Sequence, residues 1–480
     1  MAILIILVAL AGAALITVLA TDRRLIEGAT LLAAVMALVE AVIVSQTVAA
    51  LGSYDALTFF SVDSLGALLL LIIACISLAT VAYSIPYLRT ETAKNIISYK
   101  QVQHYYLLLN LFMMAMFLAV SSSSPIFTWI SIEATTLATA FLISFYNKPT
   151  ATEAAWKYLI INSIGLLLGF FGTLLYFTSI EANLTSGFIS WQGLAIAATH
   201  LDPVIARIAF IFVLVGYGTK VGLAPMHTWL PDAHSKAPVP ISALLSGVLL
   251  NVALMAVLRF KLITDLVIGP DFTGHLFLLF GGVSILFAAL IIFTQKNYKR
   301  LLAYSSVENM GIILLGFGLG GLGALAAVFH MMYHAFIKSA LFLASGTIFL
   351  NYSSTKIANV KGVLTAIPIT GGLFLAGFFA ITGAPPVGIF LTKLSILAIG
   401  IKTYPVSTVL VLLLMAVLFI GFLKHTSAMM FGEKPTQLVA TKESVWLILP
   451  PLALLVIVLY LGFWLPPFLQ ILINNVAVQY

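Results

Sequence analysis

The stretch GYGTKVGLAPMHTWLPDAH at residues 216–234 decides the fold, because it sets a lysine and helix-breaking residues inside an apolar run. Lys220 stands just before Gly222 and Pro225, which interrupt helices. A second stretch, GAPPVGIFLTKLSIL at residues 383–397, has a Gly-Ala-Pro-Pro break followed by Lys393. Broken helices at membrane depth are tolerated where they are buried in protein or line a wet cavity. The two stretches therefore indicate working sites within a membrane protein.

Composition excludes a soluble enzyme. The 480 residues are 62% apolar and 8% charged, whereas soluble domains carry about 25% charge. In such a chain a net charge of +7 reflects basic loops rather than nucleic-acid binding. The single Cys75 rules out an internal disulfide and metal sites built on cysteines. Because the sequence has no Walker loop or dinucleotide fingerprint, we expect no cofactor in this chain.

The apolar runs predict an all-α polytopic membrane protein. A spanning helix needs about 20 mostly apolar residues. On that criterion we predict fourteen spans, near residues 2–20, 26–49, 62–87, 104–121, 124–146, 153–178, 205–231, 240–260, 276–294, 301–319, 322–350, 363–400, 403–423 and 444–463. We interpret 363–400 as one interrupted span rather than two short ones.

Basic residues predict the orientation. Alternate loops hold most of them, namely Arg23, Arg24, Arg89, Lys94, Lys100, Lys148, Lys236, Lys296, Lys299, Arg300, Lys356, Lys361, Lys424, Lys434 and Lys442. The other loops hold only Arg207, Arg259, Lys261 and Lys402. Since basic loops stay in the cytoplasm, we expect a multi-pass protein of the cytoplasmic (inner) membrane with both termini outside.

The broken spans, the seventh and the twelfth, predict an internal repeat. Counting spans 4–8 and 9–13 as two five-helix units puts the breaks in matching places, and an odd number of helices inverts the second unit. The chain then divides into helices 1–3 (1–100), a first repeat (101–265), a second, inverted repeat (270–430) and a C-terminal helix (440–480).

Charges inside the membrane are costly and indicate function. Glu133 lies mid-span in TWISIEATTLATAF (128–141), Glu308 in the tenth span, and Lys220 and Lys393 beside the breaks. For Glu133 the alternative is a structural carboxylate bound to a nearby Ser or Thr. Because opposite charges at this depth seldom stay single, we expect Glu133 to pair with Lys220.

The eleventh span carries a line of titratable groups. His330, His334 and Lys338 in HMMYHAFIKSALF (330–342) are spaced i, i+4 and i+8, on one helix face. Two histidines at this spacing can hold zinc, but no carboxylate ligand or HExxH pattern accompanies them. Proton transfer fits better, since histidine titrates near neutrality and a desolvated lysine can give up its proton there.

Four other residues are secondary candidates. His227 lies between Lys220 and the cytoplasmic edge, where it can pass protons. Asp232 and His234 are expected to fix the loop after the break. Lys157 follows Glu153 by four residues, which fits an interfacial ion pair as well as a functional role.

Several motifs carry a family resemblance. They are PMHTWLPDAHSKAPVPISALLSG (225–247), YKRLLAYSSVENMG (298–311), HMMYHAFIKSALFLASG (330–346) and GAPPVGIFLTK (383–393). Over residues 60–430 the chain resembles the antiporter-like proton-translocating subunits of respiratory complex I, multisubunit sodium/proton antiporters and energy-converting [NiFe] hydrogenases. WISIEATTLATAFLISFY (129–146) and SALLSGVLLN (242–251) most resemble the hydrogenase-4 component F branch.

The resemblance implies fourteen helices with inverted repeats and a proton path through Glu133, Lys220, His334, Lys338 and Lys393. The sequence departs from the complex I subunits at Asn251, where they often carry a lysine in helix eight. An amide does not titrate, so the half-channels would have to be linked by water, His330 and His334, or by another route. We also expect no counterpart of the long lateral helix of one complex I subunit.

Two functions follow as alternatives. The first is a proton-pumping subunit, not an enzyme by itself, of a redox-driven assembly whose other membrane subunits are its partners. The NiFe centre and iron–sulfur clusters are then expected in partner subunits. The second is a sodium/proton antiporter module with Na+ on Glu133, which exchange of Na+ for K+ in a transport assay would distinguish. A solute carrier fits less well, because the sequence offers a thin line of charges rather than a polar pocket.

Overall fold

The chain folds into a bundle of membrane-length helices. The computed structural model describes residues 1–179, 189–435 and 443–480. Within these ranges, thirteen helical segments are long and apolar enough to cross a membrane. Pro368–Thr382 and Gly388–Thr403 together match the interrupted twelfth span, so the all-α polytopic fold with about fourteen spans is confirmed. Lys442, assigned above to a basic loop, lies outside the described residues.

The helices are numbered in chain order. They are α1 Ala2–Leu19, α2 Arg23–Leu51, α3 Ser64–Ala93, α4 Tyr99–Ser121, α5 Pro125–Ile143, α6 Pro149–Tyr176, α7 Trp191–Ala197, α8 Pro203–Val221, α9 Trp229–Lys236, α10 Val239–Leu244, α11 Leu250–Ile268, α12 Pro270–Ile291, α13 Tyr298–Leu319, α14 Leu322–Tyr352, α15 Val363–Ala366, α16 Pro368–Thr382, α17 Gly388–Thr403, α18 Pro405–Met430, α19 Val445–Phe463 and α20 Pro467–Gln479. The seventh span is α8 with α9, and the twelfth is α16 with α17.

Polar caps and prolines fix where helices begin. Ser98 and Gln101 form a reciprocal capping box at the start of α4, and the Asn297 side chain accepts from two backbone amides of α13. Such caps satisfy amides that lack partners in the first turn. Helices α5, α6, α8, α12 and α18 begin at a proline, which has no amide hydrogen to leave unpaired there.

The first break occurs at Gly222, where α8 ends with a φ of +83°. A Cβ at this position would lie 2.5 Å from a methyl carbon of Leu230, so both the conformation and the space require glycine. Trp229 Nε1 donates to the carbonyl of Thr219 at 2.8 Å, which satisfies one of the last carbonyls of α8. Lys220 lies in this last turn, at the negative end of the helix dipole.

The second break occurs at Gly383, where α16 ends with a φ of +90°. Lys393 on α17 turns back to this end, and its Nζ donates to the carbonyls of Ile381 (3.3 Å) and Thr382 (3.4 Å). Each break thus sets a lysine at the C-terminal end of a half-helix, where the dipole favours a cation. Both predicted interruptions are present. The inverted relation of the two units stays a prediction.

Basic residues of the predicted cytoplasmic loops gather at one end of the bundle, which we name the basic end. Arg23 and Arg89 both bind Glu27, at 2.7 and 2.5 Å, and join α2 to α3. Lys94 donates to the carbonyl of Leu350 at the end of α14 (2.6 Å). The loop after α14 pairs with the start of α13 through a bridge between Asn297 and Lys356, so these helix ends lie together.

Both chain termini lie at the opposite end. The amino group of Met1 donates to the Tyr54 hydroxyl at 2.7 Å, and the Asn475 amide donates to Ser64 at 3.3 Å. This arrangement puts the termini away from the basic end, as the loop charges predict.

The structure also contains elements that the hydropathy pattern does not predict. An antiparallel hairpin, β1 (Tyr54–Ala56) with β2 (Phe60–Val62), precedes α3 and pairs Tyr54 with Val62. A π turn, Leu245–Leu249, interrupts the eighth span between α10 and α11. Short helices α7 and α20 add to the spans. Each is too short or too local to show up over a window of about 20 residues.

Gly222→Ala should lower the thermal stability of the subunit in its detergent-solubilised complex. A left-handed alanine costs about 1–2 kcal/mol, and its Cβ would also meet Leu230. Gly28→Ala is the matched control, because Gly28 is helical in α2 and has open space around it. Equal melting temperatures for the two variants would contradict this account of the break.

Candidate functional site

Lys220 is fully buried and bound by two hydroxyl groups. Its Nζ donates to Thr136 Oγ1 at 2.8 Å and to the Tyr158 hydroxyl at 2.6 Å. The ammonium also lies 4.7 Å from the centre of the Tyr158 ring, in cation–π range. Helices α5 and α6 thus supply the oxygens that a cation at this depth requires.

Glu133 and Lys220, which the sequence predicts to pair, are linked through a hydroxyl rather than by direct contact. Its carboxylate accepts from Ser163 Oγ at 2.7 Å and from Thr136 Oγ1 at 3.3 Å. Among the described residues, no oxygen of Glu133 lies within 4.0 Å of Lys220 Nζ. The reason is that Thr136, almost one turn further along α5, occupies the space between them.

Thr136 therefore connects the two charges. A hydroxyl can accept one hydrogen bond while it donates another. Thr136 accepts from Lys220 and donates to Glu133, so the three side chains form a continuous hydrogen-bonded line. Hydrogen bonds from a Ser and a Thr are what a purely structural role of Glu133 would also require. The link from Glu133 to a buried lysine is not explained by such a role.

The second cluster contains a direct ion pair. Lys393 Nζ lies 2.9 Å from Glu308 Oε1, and both side chains are buried. Glu308 comes from α13 and Lys393 from α17, so the pair joins the tenth span to the second half of the twelfth. A buried pair of this kind is costly to break, because either partner alone would be an uncompensated charge.

His330 is fixed beside this pair. Its Nδ1 lies 2.8 Å from Thr392 Oγ1 and its Nε2 lies 3.0 Å from Asn309 Oδ1. Asn309 follows Glu308 and Thr392 precedes Lys393 in the chain, so the imidazole is held by the neighbours of both charges. With each ring nitrogen bonded, His330 belongs to the cluster rather than to a metal site.

Lys338 joins the same cluster from the other side. Its buried Nζ donates to the carbonyl of Leu302 and to Ser305 Oγ, the latter at 2.5 Å. Ser305 and Glu308 are spaced i, i+3 on α13 and so face the same way. Glu308 and Lys393 both act electrostatically on Lys338. The structure thus brings together Glu308, His330, Lys338 and Lys393.

Asn251 on α11 and His334 on α14 have unsatisfied polar atoms, and α11 packs against α8 of the first cluster. Asn251 Nδ2 donates to the carbonyl of Gly247 at 3.1 Å within its own helix. Its Oδ1 and both ring nitrogens of His334 are buried and have no hydrogen-bond partner among the residues that the structure describes. At Gly247 the eighth span meets α14 closely, since a Cβ there would lie 2.7 Å from the carbonyl of Ala335. Buried polar groups of this kind often hold ordered water.

The secondary candidates lie nearer the basic end. His227 is buried against Phe287 and Tyr304. Asp232 binds Arg300 and lies 3.7 Å from Lys157, so it ties α9 to α13 and α6. Lys157 also lies 2.6 Å from Glu153 and is half exposed, which makes it an interfacial residue.

His234, two residues after Asp232, does not fix the loop by side-chain hydrogen bonds. Both ring nitrogens are without a partner within the described ranges, and the ring stacks on Phe342.

Residues 122–419 match the family described as NADH:quinone oxidoreductase/Mrp antiporter, transmembrane. The match contains both clusters and the gap between them. The chain belongs to this family. A relative named hydrogenase-4 component F homolog, from Methylacidiphilum infernorum (isolate V4), is 36% identical over 420 residues, which cover 85% of this chain and 86% of that protein.

Two solved structures have the same fold. A chain of the membrane-bound sulfane sulfur reductase, an archaeal respiratory membrane complex, superposes with a TM-score of 0.86 at 21% identity and covers 100% of this chain and 98% of its own. A chain of the Mrp complex from Dietzia sp. DQ12-45-1b gives a TM-score of 0.85 at 20% identity, covering 99% and 96%.

Sequence reasoning found the charged residues of this antiporter-family site but missed the hydroxyls and amides that bind them. Thr136, Tyr158 and Ser163 serve the first cluster, and Ser305, Asn309 and Thr392 serve the second. The sequence did carry a signal for four of these residues, since each is a polar residue within one helical turn of an intramembrane charge: Thr136, Ser305, Asn309 and Thr392. Tyr158 and Ser163 come from another helix, so only the fold identifies them.

Thr136→Val should slow proton transfer through the first cluster while leaving its shape intact. The loss of a hydrogen bond to a charged group is worth about 1.5–3 kcal/mol, or roughly ten- to a hundredfold in rate. Thr136→Ser keeps the hydroxyl and serves as the matched control. Initial rates of proton uptake by sealed vesicles containing the complex measure the effect, and wild-type rates in Thr136→Val would exclude the threonine as a link.

Proposed function

We propose that this chain is a proton-translocating subunit of a redox-driven, complex I-like or hydrogenase-type membrane assembly. The observation that carries the proposal is the line Lys220–Thr136–Glu133, in which a buried ammonium, a hydroxyl and a carboxylate are hydrogen-bonded in sequence. A group that only stabilised the fold would not need three members that can each hold or pass a proton.

In the first cluster the proton has a defined path. Lys220 as an ammonium can release a proton to Thr136, whose hydroxyl passes its own proton to Glu133. The amine left behind is neutral and tolerates burial better than the ion. Tyr158, which receives the second hydrogen bond of Lys220 at 2.6 Å, holds the amine in place while its charge changes.

In the second cluster, charge on one lysine controls the other. Lys393 is held by Glu308 at 2.9 Å, and Lys338 contacts Ser305 on the same face of α13. A proton on Lys338 adds a positive charge that Glu308 must also balance. The ammonium of Lys393 is then held less strongly, which favours the release of its proton. Such coupling is strong where water is scarce, and it turns electrostatic repulsion into directed transfer.

The gap between the clusters would be crossed by water. Asn251 Oδ1 and the His334 nitrogens offer three unsatisfied polar atoms, and an ordered water typically uses two to four such partners. His334 can also carry the proton itself. This route takes the place of the helix-eight lysine that related subunits often carry.

The proposal also covers the partner subunits of this chain and its orientation in the membrane. Other membrane subunits of the assembly would surround this chain, and the NiFe centre and iron–sulfur clusters would belong to partner subunits, so that this chain has no catalytic activity of its own. The excess of Lys and Arg places the basic end in the cytoplasm and both termini outside a cytoplasmic membrane.

Lys220→Ala should abolish proton pumping by the assembled complex without preventing assembly. The substitution removes the only lysine that the Thr136 hydroxyl contacts within the described ranges. Proton uptake is followed in sealed vesicles in Na+-free potassium buffer and again with Na+. Full pumping by the variant would refute the proposal, and a wild-type complex that requires Na+ would favour the sodium/proton antiporter alternative.

Asn251→Leu should impair coupling although it removes no charge, because an apolar side chain dries the gap. Asn251→Lys should be tolerated or shift the pH optimum, since it restores the arrangement common in related subunits. The protons moved per electron provide the measurement. If Asn251→Leu and His334→Ala both pump normally, protons do not cross between the clusters by this route.

A further inference from the structure

A buried carboxylate near the basic end has no part in the path described so far. Glu91 lies in the last turn of α3 and is fully buried. Its Oε1 accepts from the Tyr146 hydroxyl at 2.7 Å, while its Oε2 has no hydrogen-bond partner in the described ranges. A buried carboxylate with an unsatisfied oxygen costs free energy, so its presence needs a reason.

Lys299 is the next buried charge. It lies in the first turn of α13 and is 3% exposed. Its Nζ donates to the carbonyl of Ala237, just after α9, at 2.6 Å. Glu91 and Lys299 act electrostatically on each other. Glu91 and Lys299 are thus two buried groups of opposite charge type at the basic end of the bundle.

His234 continues this line into the membrane. Its imidazole is fully buried, and neither ring nitrogen has a partner in the part of the chain that the structure describes. Lys299 and Lys338 both act on it electrostatically. The ring stacks on Phe342, with the centroids 4.9 Å apart and an angle of 19° between the planes.

Phe342 lies beside both His234 and the proton path. Lys338 Nζ lies 6.0 Å from the centroid of the ring on which His234 stacks, and Phe342 follows Lys338 by one turn of α14 towards the basic end. The imidazole and the ammonium thus share one apolar side chain as a neighbour. Movement of that side chain would allow water to connect the two groups.

A purely structural role explains these groups less well. Structural polar networks in protein interiors are normally satisfied, as are Tyr83 with Thr347 and Ser84 with Tyr105 nearby. Glu91 and His234 instead keep three polar atoms unsatisfied within the described residues. Unsatisfied buried atoms of this kind fit transient water, which binds while a proton passes.

We propose that Glu91, Lys299 and His234 form the proton-uptake path from the cytoplasm to Lys338, with Phe342 as the barrier at its inner end. This inference rests on the proposed function and adds the side from which the second cluster is loaded. The Lys299 ammonium passes a proton through water to the His234 imidazole, which passes one on to the Lys338 amine. The Glu91 carboxyl, after taking up a proton from the cytoplasm, then reprotonates the Lys299 amine through water. Each group returns to its starting state, so no other reactant is needed.

The test uses the assembled complex in sealed vesicles, with Glu91→Gln and His234→Gln each compared with wild type. We expect protons moved per electron to fall by about tenfold, below the effect typical of a lost acid–base group because water replaces part of the path. Electron transfer in the presence of a protonophore should stay normal, which a merely structural defect would not allow. Glu91→Asp should restore part of the pumping.

Lys94→Gln is the matched control for Lys299→Gln. Both lysines lie at the basic end and donate to one backbone carbonyl at 2.6 Å, but Lys94 is exposed. Lys299→Gln should lose pumping and Lys94→Gln should keep it. If the Glu91→Gln variant does not assemble, the His234→Gln variant tests the path alone. This substitution should be tolerated, because the His234 ring makes no hydrogen bond within the described residues.

The outcomes separate this inference from the proposed function. If the wild type pumps, Lys220→Ala does not, and both Glu91→Gln and His234→Gln pump like the wild type, then the uptake path is refuted and the proposed function stands. A wild-type complex that moves no protons overturns both. Loss of pumping in Glu91→Gln and His234→Gln, with normal uncoupled electron transfer, supports the path.

Discussion

A lysine ammonium inside a bilayer must receive oxygen atoms from the protein, and this requirement organises the whole structure. Lys220 receives the hydroxyls of Thr136 and Tyr158, while Lys393 receives a carboxylate and two carbonyls. Such oxygens occur at membrane depth only where helices break or bring polar side chains together. The need to bring oxygen atoms to buried lysines explains the two breaks, the polar faces of α5 and α13 and the close approach of the spans.

The two clusters meet the same requirement in different ways, which gives them different chemistry. A hydroxyl between Lys220 and Glu133 leaves the charges separated, so the proton has a relay to follow. The direct contact of Lys393 with Glu308 makes a tight pair whose strength depends on the charge of Lys338. One cluster is suited to passing protons and the other to holding and releasing them.

The sequence was sufficient for the class of fold, the number of spans and both breaks, because apolar length, glycine and proline have local effects. It also located every charged member of the clusters, since an intramembrane charge is rare. It did not identify Thr136 as the link between Glu133 and Lys220, because α5 has four threonines and only the approach of α8 selects this one. The partners of His330, Asn309 and Thr392, come from two other helices, and no local pattern specifies such contacts.

The central claim is that the two clusters act as one path rather than as two independent channels. The most direct measurement is a double-mutant cycle of Thr136→Val and Glu308→Gln, with protons moved per electron as the readout in sealed vesicles. A single path predicts that the double variant pumps as well as the more impaired of the two single variants, because either defect already limits the same transfer. If the loss in the double variant is instead the sum of the two single losses, a single path is contradicted and two channels work side by side.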